Sequence, residues 1–216
     1  MKNNLTFAFL LVTALVCAQK RSTIALTYGT NVYSKPFNGQ LNTLDSFQIG
    51  SPTQYIGFGG NGHFMTNGNV EWAGHFMLAK YLPQQINLND SVMAELSGFS
   101  FGWGYGFDCF NNAANIDFIL SGGLNFGRVK LTQAENSVTG EEVDLSVKNM
   151  FISPKASAML ILYVKSVAIS LNAEYAYDLS ASRWKQKIIG RETGTVEVPK
   201  FNQSGLGFSI GLGWAL

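Results

Sequence analysis

The residues able to do chemistry in this chain fall into two sets with opposite surroundings. The first set stands among small side chains: Glu71, His75, Lys155, Glu174 and Asp178, with Asn31, Asn61, His63, Asp117, Asn125 and Asn172 in similar positions. Carboxylates, an ammonium and two imidazoles placed this way suit an ion-pair network, a proton path or a metal site. His63 and His75 each belong to a GHFM tetrapeptide, at 62–65 and 74–77, on the two arms of one expected hairpin with Glu71 nearby. Two imidazoles and one carboxylate beside a turn read more simply as hydrogen-bonded filling, so neither a metal nor a cofactor is assigned. The second set is Lys80, Arg128 and Lys130, each on the large apolar face of its segment. Cations there suit lipid phosphates, or snorkel to a membrane interface. No catalytic residue is assigned. The polar stretches 35–54, 132–150 and 180–203 contain no histidine, so Ser-His hydrolysis lacks a pair and only Asp- or Tyr-based chemistry is left open.

The elements that carry these groups are strands. In the segment 204–216 Leu206, Phe208, Ile210, Leu212, Trp214 and Leu216 alternate with Gly205, Gly207, Ser209, Gly211, Gly213 and Ala215. Period-2 alternation marks a strand with two unlike faces. Large apolar groups on one face and glycine on the other suit a narrow barrel with lipid outside. The same design predicts strands over 23–33, 55–66, 70–82, 94–110, 116–131, 151–164 and 167–179, eight in all. Pro83 is expected to end the third. The connections alternate long and short, which is the pattern of long extracellular loops and short periplasmic turns. A two-residue turn at Lys165-Ser166 predicts the pairs Val164–Val167, Leu162–Ile169, Leu160–Leu171, Ala158–Ala173, Ala156–Tyr175 and Pro154–Tyr177. On the alternate face Ser157 meets Glu174, and Lys155 is expected to sit between Glu174 and Asp178. The closing strand is expected to pair with 23–33, Trp214 and Leu216 forming its closure and assembly end. Tyr28, Tyr55, Tyr81, Tyr175 and Tyr177 are expected at one membrane rim, and Trp72 and Trp214 at the other.

Composition supports this. Only 13% of the 216 residues are charged and the net charge is +1, which removes nucleic acid as a partner. Glycine (23) and phenylalanine (16) are abundant, mean hydropathy is only +0.09, and no segment after the leader is apolar enough for a membrane helix. Residues 1–18 read as a cleaved signal peptide, with Lys2, an apolar run over 5–16 and the Val16-Cys17-Ala18 cleavage region; residues 19–216 form the barrel. Lipidation at Cys17 is the rival, disfavoured by bulky Val16. If Cys17 is removed, Cys109 is the remaining cysteine and no internal disulfide is expected.

On its glycine–aromatic strands and "CAQ" cleavage region the chain resembles the small eight-stranded outer-membrane barrels of the OmpX and OmpA-barrel type, including the porin-family barrels common in Bacteroidota. The departure is the final residue: Leu216 stands where such proteins commonly carry an aromatic. The resemblance implies an all-β, up-and-down transmembrane barrel in a Gram-negative outer membrane, both termini periplasmic, inserted by the barrel-assembly machinery. The expected role is a non-enzymatic scaffold with a plugged polar lumen, acting through extracellular loops or its lipid-facing surface. Its partners would be outer-membrane lipid, lipopolysaccharide and other envelope proteins. The alternative is an accessory subunit of a secretion or barrel-assembly complex; a small pore or lipid A-modifying enzyme ranks below both.

Overall fold

A computed structural model describes residues 22–33, 37–42, 45–49, 53–66, 70–89, 92–110, 115–135, 143–180, 185–189 and 203–216. The expected signal peptide with Cys17, the turn at 67–69, most of the turn at 111–115 and parts of the four long connections lie outside the described residues. In chain order the strands are β1 (Ser22–Tyr33), β2 (Phe37–Asn42), β3 (Asp45–Ile49), β4 (Thr53–Thr66), β5 (Val70–Asn89), β6 (Val92–Asp108), β7 (Ile116–Glu135), β8 (Val143–Val164), β9 (Val167–Ala176), β10 (Lys185–Ile189) and β11 (Gly205–Ala215).

Eight of them close a ring. Neighbours run β1, β4, β5, β6, β7, β8, β9 and β11, and β11 returns to β1; every pairing is antiparallel. The fold is therefore the expected eight-stranded up-and-down barrel. Alternation sets its two faces. Leu206, Phe208, Ile210, Leu212 and Trp214 are exposed on the outside, while Gly205, Gly207, Gly211 and Gly213 are buried inside. β6 does the same, with Phe99, Phe101, Trp103, Tyr105 and Phe107 out and Ser100, Gly102, Gly104, Gly106 and Asp108 in.

The expected register of β8 with β9 is observed from Val164↔Val167 through Ala156↔Tyr175, and the Tyr177 N–H donates to the Pro154 carbonyl at 2.9 Å beyond the ladder. Two-residue turns favour positive φ, and Lys165 adopts φ 55° at the first turn position, where glycine would be less strained. Closure also follows expectation: Thr23↔Ala215 through Tyr33↔Gly205 pair on one side of β11, and Trp214↔Val167 through Gly205↔Ala176 on the other. The Leu216 N–H reaches the Ser22 carbonyl at 2.8 Å, so the chain's last residue joins the seam.

Pro83 does not end its strand. β5 continues to Asn89, with the register shifting between Tyr81 and Gln84. Proline has no N–H to give a ladder, but an irregularity asks for none there, so pairing resumes beyond it. Much of the expected loop at 132–150 is likewise paired, since β7 and β8 stay in register out to Glu135↔Val143. The β2–β3 ribbon lies within the expected loop at 35–54, and β10 pairs with the outer part of β8 within the 180–203 stretch. One end of the barrel thus carries long hairpins. The other carries the short turns and both barrel termini.

Candidate functional site

The lumen is the place where polar chemistry is gathered. An eight-stranded ring is only wide enough for side chains to fill, so each large inward group needs a neighbour without a side chain. A Cβ added to Gly29 would strike the ring of Tyr55, and one at Gly104 would strike the imidazole of His75. These glycines are required by close approach. Tyr55 and Tyr81 are 2% and 5% exposed, with rings edge-to-face and centroids 6.3 Å apart. They are lumen residues, contrary to the expected place in the aromatic rim. Alternation explains the correction: Tyr55 shares its face with buried Gly57 and Gly59, while Ile56 and Phe58 face outward. Tyr28, Tyr175, Tyr177, Trp72 and Trp214 are exposed on the outer wall.

The expected polar network divides into three parts. In the middle, Lys155 Nζ meets Glu174 Oε2 at 3.1 Å, both side chains buried. Asp178 does not join that pair. Its Oδ1 accepts from the Ser180 N–H at 2.8 Å and the Ser180 hydroxyl at 2.6 Å, its Oδ2 accepts from the Gln203 N–H at 3.1 Å, and its own N–H donates to Ser204 Oγ. It ties the chain together where β9 ends and β11 begins. Backbone pairing with β8 continues past it, with the Leu179 N–H donating to the Ile152 carbonyl at 3.1 Å, so its partners come from the segment that follows and from the start of β11, which flat register reasoning could not show. His75 lines an internal cavity of about 50 Å³ together with Lys155, Asn61 and Asn172. That is room for roughly four water molecules at about 10–15 Å³ each. A second cavity, of about 20 Å³, is lined by Glu174, Asn31 and Asn125 on the long-hairpin side. Lys155 borders one cavity and Glu174 the other.

Glu71 belongs to the third part, near the short turns, and not with His75 and Lys155. There His63, Glu71 and Asp108 each offer a ligand atom within 4.8 Å of the others. Asp108 Oδ1 accepts from the N–H groups of Phe110 (3.1 Å) and Phe118 (2.9 Å). The Tyr163 hydroxyl donates to the Asp117 carboxylate. The two histidines are diagonal neighbours on adjacent strands and do not face each other directly: His63 is opposite Ala73, and His75 is opposite Asn61. A buried apolar group, Ala73, Ile119, Ile161 and Ala168, packs with Tyr163; Ala73, Ile119 and Ile161 stand opposite His63, Asp108 and Asp117, and Ile161 and Ala168 also line the middle cavity. Sequence reasoning missed Asp108. The signal was present, because Asp108 continues the inward series Gly102, Gly104, Gly106.

On the outer wall Lys80, Phe99, Arg128 and Met150 lie in one row across β5 to β8, with Lys80↔Phe99, Phe99↔Arg128 and Arg128↔Met150 paired. Lys130 is two residues further along β7 and directly opposite Lys148. The predicted trio therefore gains a fourth cation, Lys148, which only the register could place. Like charges directly opposite each other are unfavourable by themselves, and Lys148 has a further interaction of its own.

No protein-family model matches the chain, and no curated protein matches it in sequence. Its fold is similar to that of the outer membrane protein OprG from Pseudomonas aeruginosa (10% identity, 91% of this chain and 95% of that one, TM-score 0.56). It is also similar to a major outer membrane protein from Thermus thermophilus (6% identity, 90% and 99%, TM-score 0.50). Ail, the attachment invasion locus protein of Yersinia pestis, aligns at 12% identity over 92% and 99% of the two chains with a TM-score of 0.47. At these identities the likeness is one of fold.

Removing one member of a buried ion pair leaves an uncompensated charge, whereas replacing both with apolar groups does not. Lys155→Met is expected to destabilise the barrel by about 3–5 kcal/mol, and Lys155→Met combined with Glu174→Leu to recover most of that loss. Urea unfolding in micelles, followed by tryptophan fluorescence, measures both. Equal losses in the single and double variants would show that the pair is not coupled.

Proposed function

We propose that this chain is an integral barrel of a Gram-negative outer membrane, with periplasmic termini and a plugged lumen. It acts as a non-enzymatic scaffold through its extracellular hairpins and lipid-facing wall. The observation that carries this reading is the inverted partition of the wall: large apolar residues outside, glycine and paired polar groups inside. A water-soluble barrel needs the reverse. Strands β9 and β11, of 10 and 11 residues, have the length a tilted strand needs to cross a bilayer. The glycine–aromatic strands support a place beside the porin-family barrels of Bacteroidota. Insertion would use the barrel-assembly machinery, with Trp214 and Leu216 as the terminal signal.

The plugged lumen is supported by the Lys155–Glu174 pair standing between two small cavities. Both histidines are inside the wall, which supports a role without catalysis. In planar bilayers the purified chain is expected to show no sustained discrete openings. Regular single-channel steps would overturn the plugged reading and favour a pore.

Lys80, Arg128, Lys130 and Lys148 support contact with the phosphates of lipopolysaccharide at the outer rim. Replacing all four with glutamine should lower the lipopolysaccharide that co-purifies per barrel several-fold; unchanged retention would leave the cations as interfacial anchors. The accessory-subunit reading is favoured by one feature, an apolar hollow on the outer wall. Ala158 and Ala173 form its small centre, with Tyr28, Leu160, Leu171 and Phe208 around it. Mild detergent extraction of native membranes separates the readings: a species of barrel mass alone is expected of the scaffold, and a larger, defined complex of the subunit.

A further inference from the structure

We infer that His63, Glu71 and Asp108 form a binding site for a divalent cation of the zinc class, at the short-turn end of the lumen. His63 is 2% exposed, and neither of its ring nitrogens has a hydrogen-bond partner. Its Nε2 is aimed at carboxylate oxygens on two strands, 3.8 Å from Asp108 Oδ2 and 3.6 Å from Asp117 Oδ2. Those separations are too long for hydrogen bonds. Asp108 Oδ2 is also buried without a hydrogen bond, although Oδ1 of the same carboxylate is held by two backbone N–H groups. The carboxylate is therefore locked with its free oxygen toward the imidazole. A buried imidazole and a buried carboxylate oxygen that face each other without bonding are explained by something that bonds to both.

A zinc-class ion fits the spacing. Bonds of about 2.0–2.2 Å to nitrogen and oxygen in tetrahedral geometry place neighbouring ligand atoms roughly 3.3–3.6 Å apart. The His63–Asp108 separation of 3.8 Å needs only a small contraction, and the Glu71 ligand atom lies within 4.8 Å of both. Asp117, oriented by the Tyr163 hydroxyl, forms the remaining wall of the site. Ligand orientation by hydrogen bonds from outside the coordination sphere is the usual companion of metal binding. The imidazole separates this site from all-oxygen magnesium and calcium sites and suits zinc together with the neighbouring transition metals. The other histidine is excluded by its surroundings: His75 shares its cavity with the Lys155 ammonium, which repels a cation. The four groups come from β4, β5, β6 and β7, one from each, so a bound ion would tie four consecutive strand ends together. The rival explanation is an imidazolium held between Asp108 and Asp117 with no metal.

The test uses the chain folded in detergent micelles without a histidine tag, since His63 and His75 are its only histidines. The protein is stripped with chelator, incubated with Zn²⁺ alone, passed through gel filtration and analysed for metal. About one zinc per chain is expected to be retained, together with a rise of several degrees in the temperature at which the compact band on semi-native gels is lost. Co²⁺ in place of Zn²⁺ should give visible absorption of a four-coordinate centre. His63→Gln and Asp108→Asn should each abolish retention, while His75→Gln should retain zinc as the unaltered chain does. The unaltered chain needs no variant to fold, so failure to retain zinc there would overturn the site in favour of the imidazolium. Retention in His63→Gln equal to that of the unaltered chain would overturn it as well, and so would equal loss in His75→Gln.

Discussion

Interior volume is the scarce quantity in an eight-stranded ring, and the rest of this molecule follows from it. Closure is needed because an open sheet would leave unpaired N–H and C=O groups at its edges, which neither lipid nor a stable monomer tolerates. The seam between β1 and β11 removes those edges. Having closed at so small a radius, the ring cannot hold two facing rows of ordinary side chains. Glycine and other small residues therefore share the inner face with the larger groups, and some inward bulky side chains are set against a glycine: Tyr55 against Gly29, His75 against Gly104.

The same shortage makes the interior polar groups consequential. With little room for water, a buried charge must find a protein partner or an ion. Lys155 and Glu174 solve this mutually, and Asp178 solves it with backbone N–H groups and a hydroxyl. Asp117 uses the Tyr163 hydroxyl. His63 and the outer oxygen of Asp108 stand apart from these solutions, since they face each other beyond bonding distance. The lumen thus holds an ion pair beside small cavities and, toward the short turns, carboxylates with one imidazole set among apolar neighbours. The outer wall has its own grading, an apolar belt with a cationic row toward the long hairpins.

Much of the architecture is legible without coordinates. Gly205 through Leu216 and Phe99 through Phe107 announce their faces by alternation alone, and the Lys165-Ser166 turn sets the β8–β9 pairing residue by residue. Two elements depart from their sequence signals for physical reasons. Pro83 ordinarily stops a ladder, but a register shift absorbs it and β5 runs on. Tyr55 and Tyr81 resemble rim tyrosines by type, yet their alternation phase puts them inside. Polar stretches beyond the belt read as loops because polar composition does not distinguish a loop from a solvated hairpin.

The sequence by itself determined the number of barrel strands, which face of each is large, the local hairpin register and most of the candidate polar residues. These are properties of neighbours along the chain or across a tight turn, and a period of two is enough to encode them. Only the tertiary structure decided which polar groups meet. The pairing register carried around the ring brings side chains far apart in sequence into one row: His75, Gly104, Gly123 and Lys155 are paired in turn, and Glu71 follows Trp72↔Phe107 to stand beside Asp108. That is why Glu71 joins Asp108 and His63, why His75 faces Lys155, and why Asp178 turns away to its own hydrogen bonds.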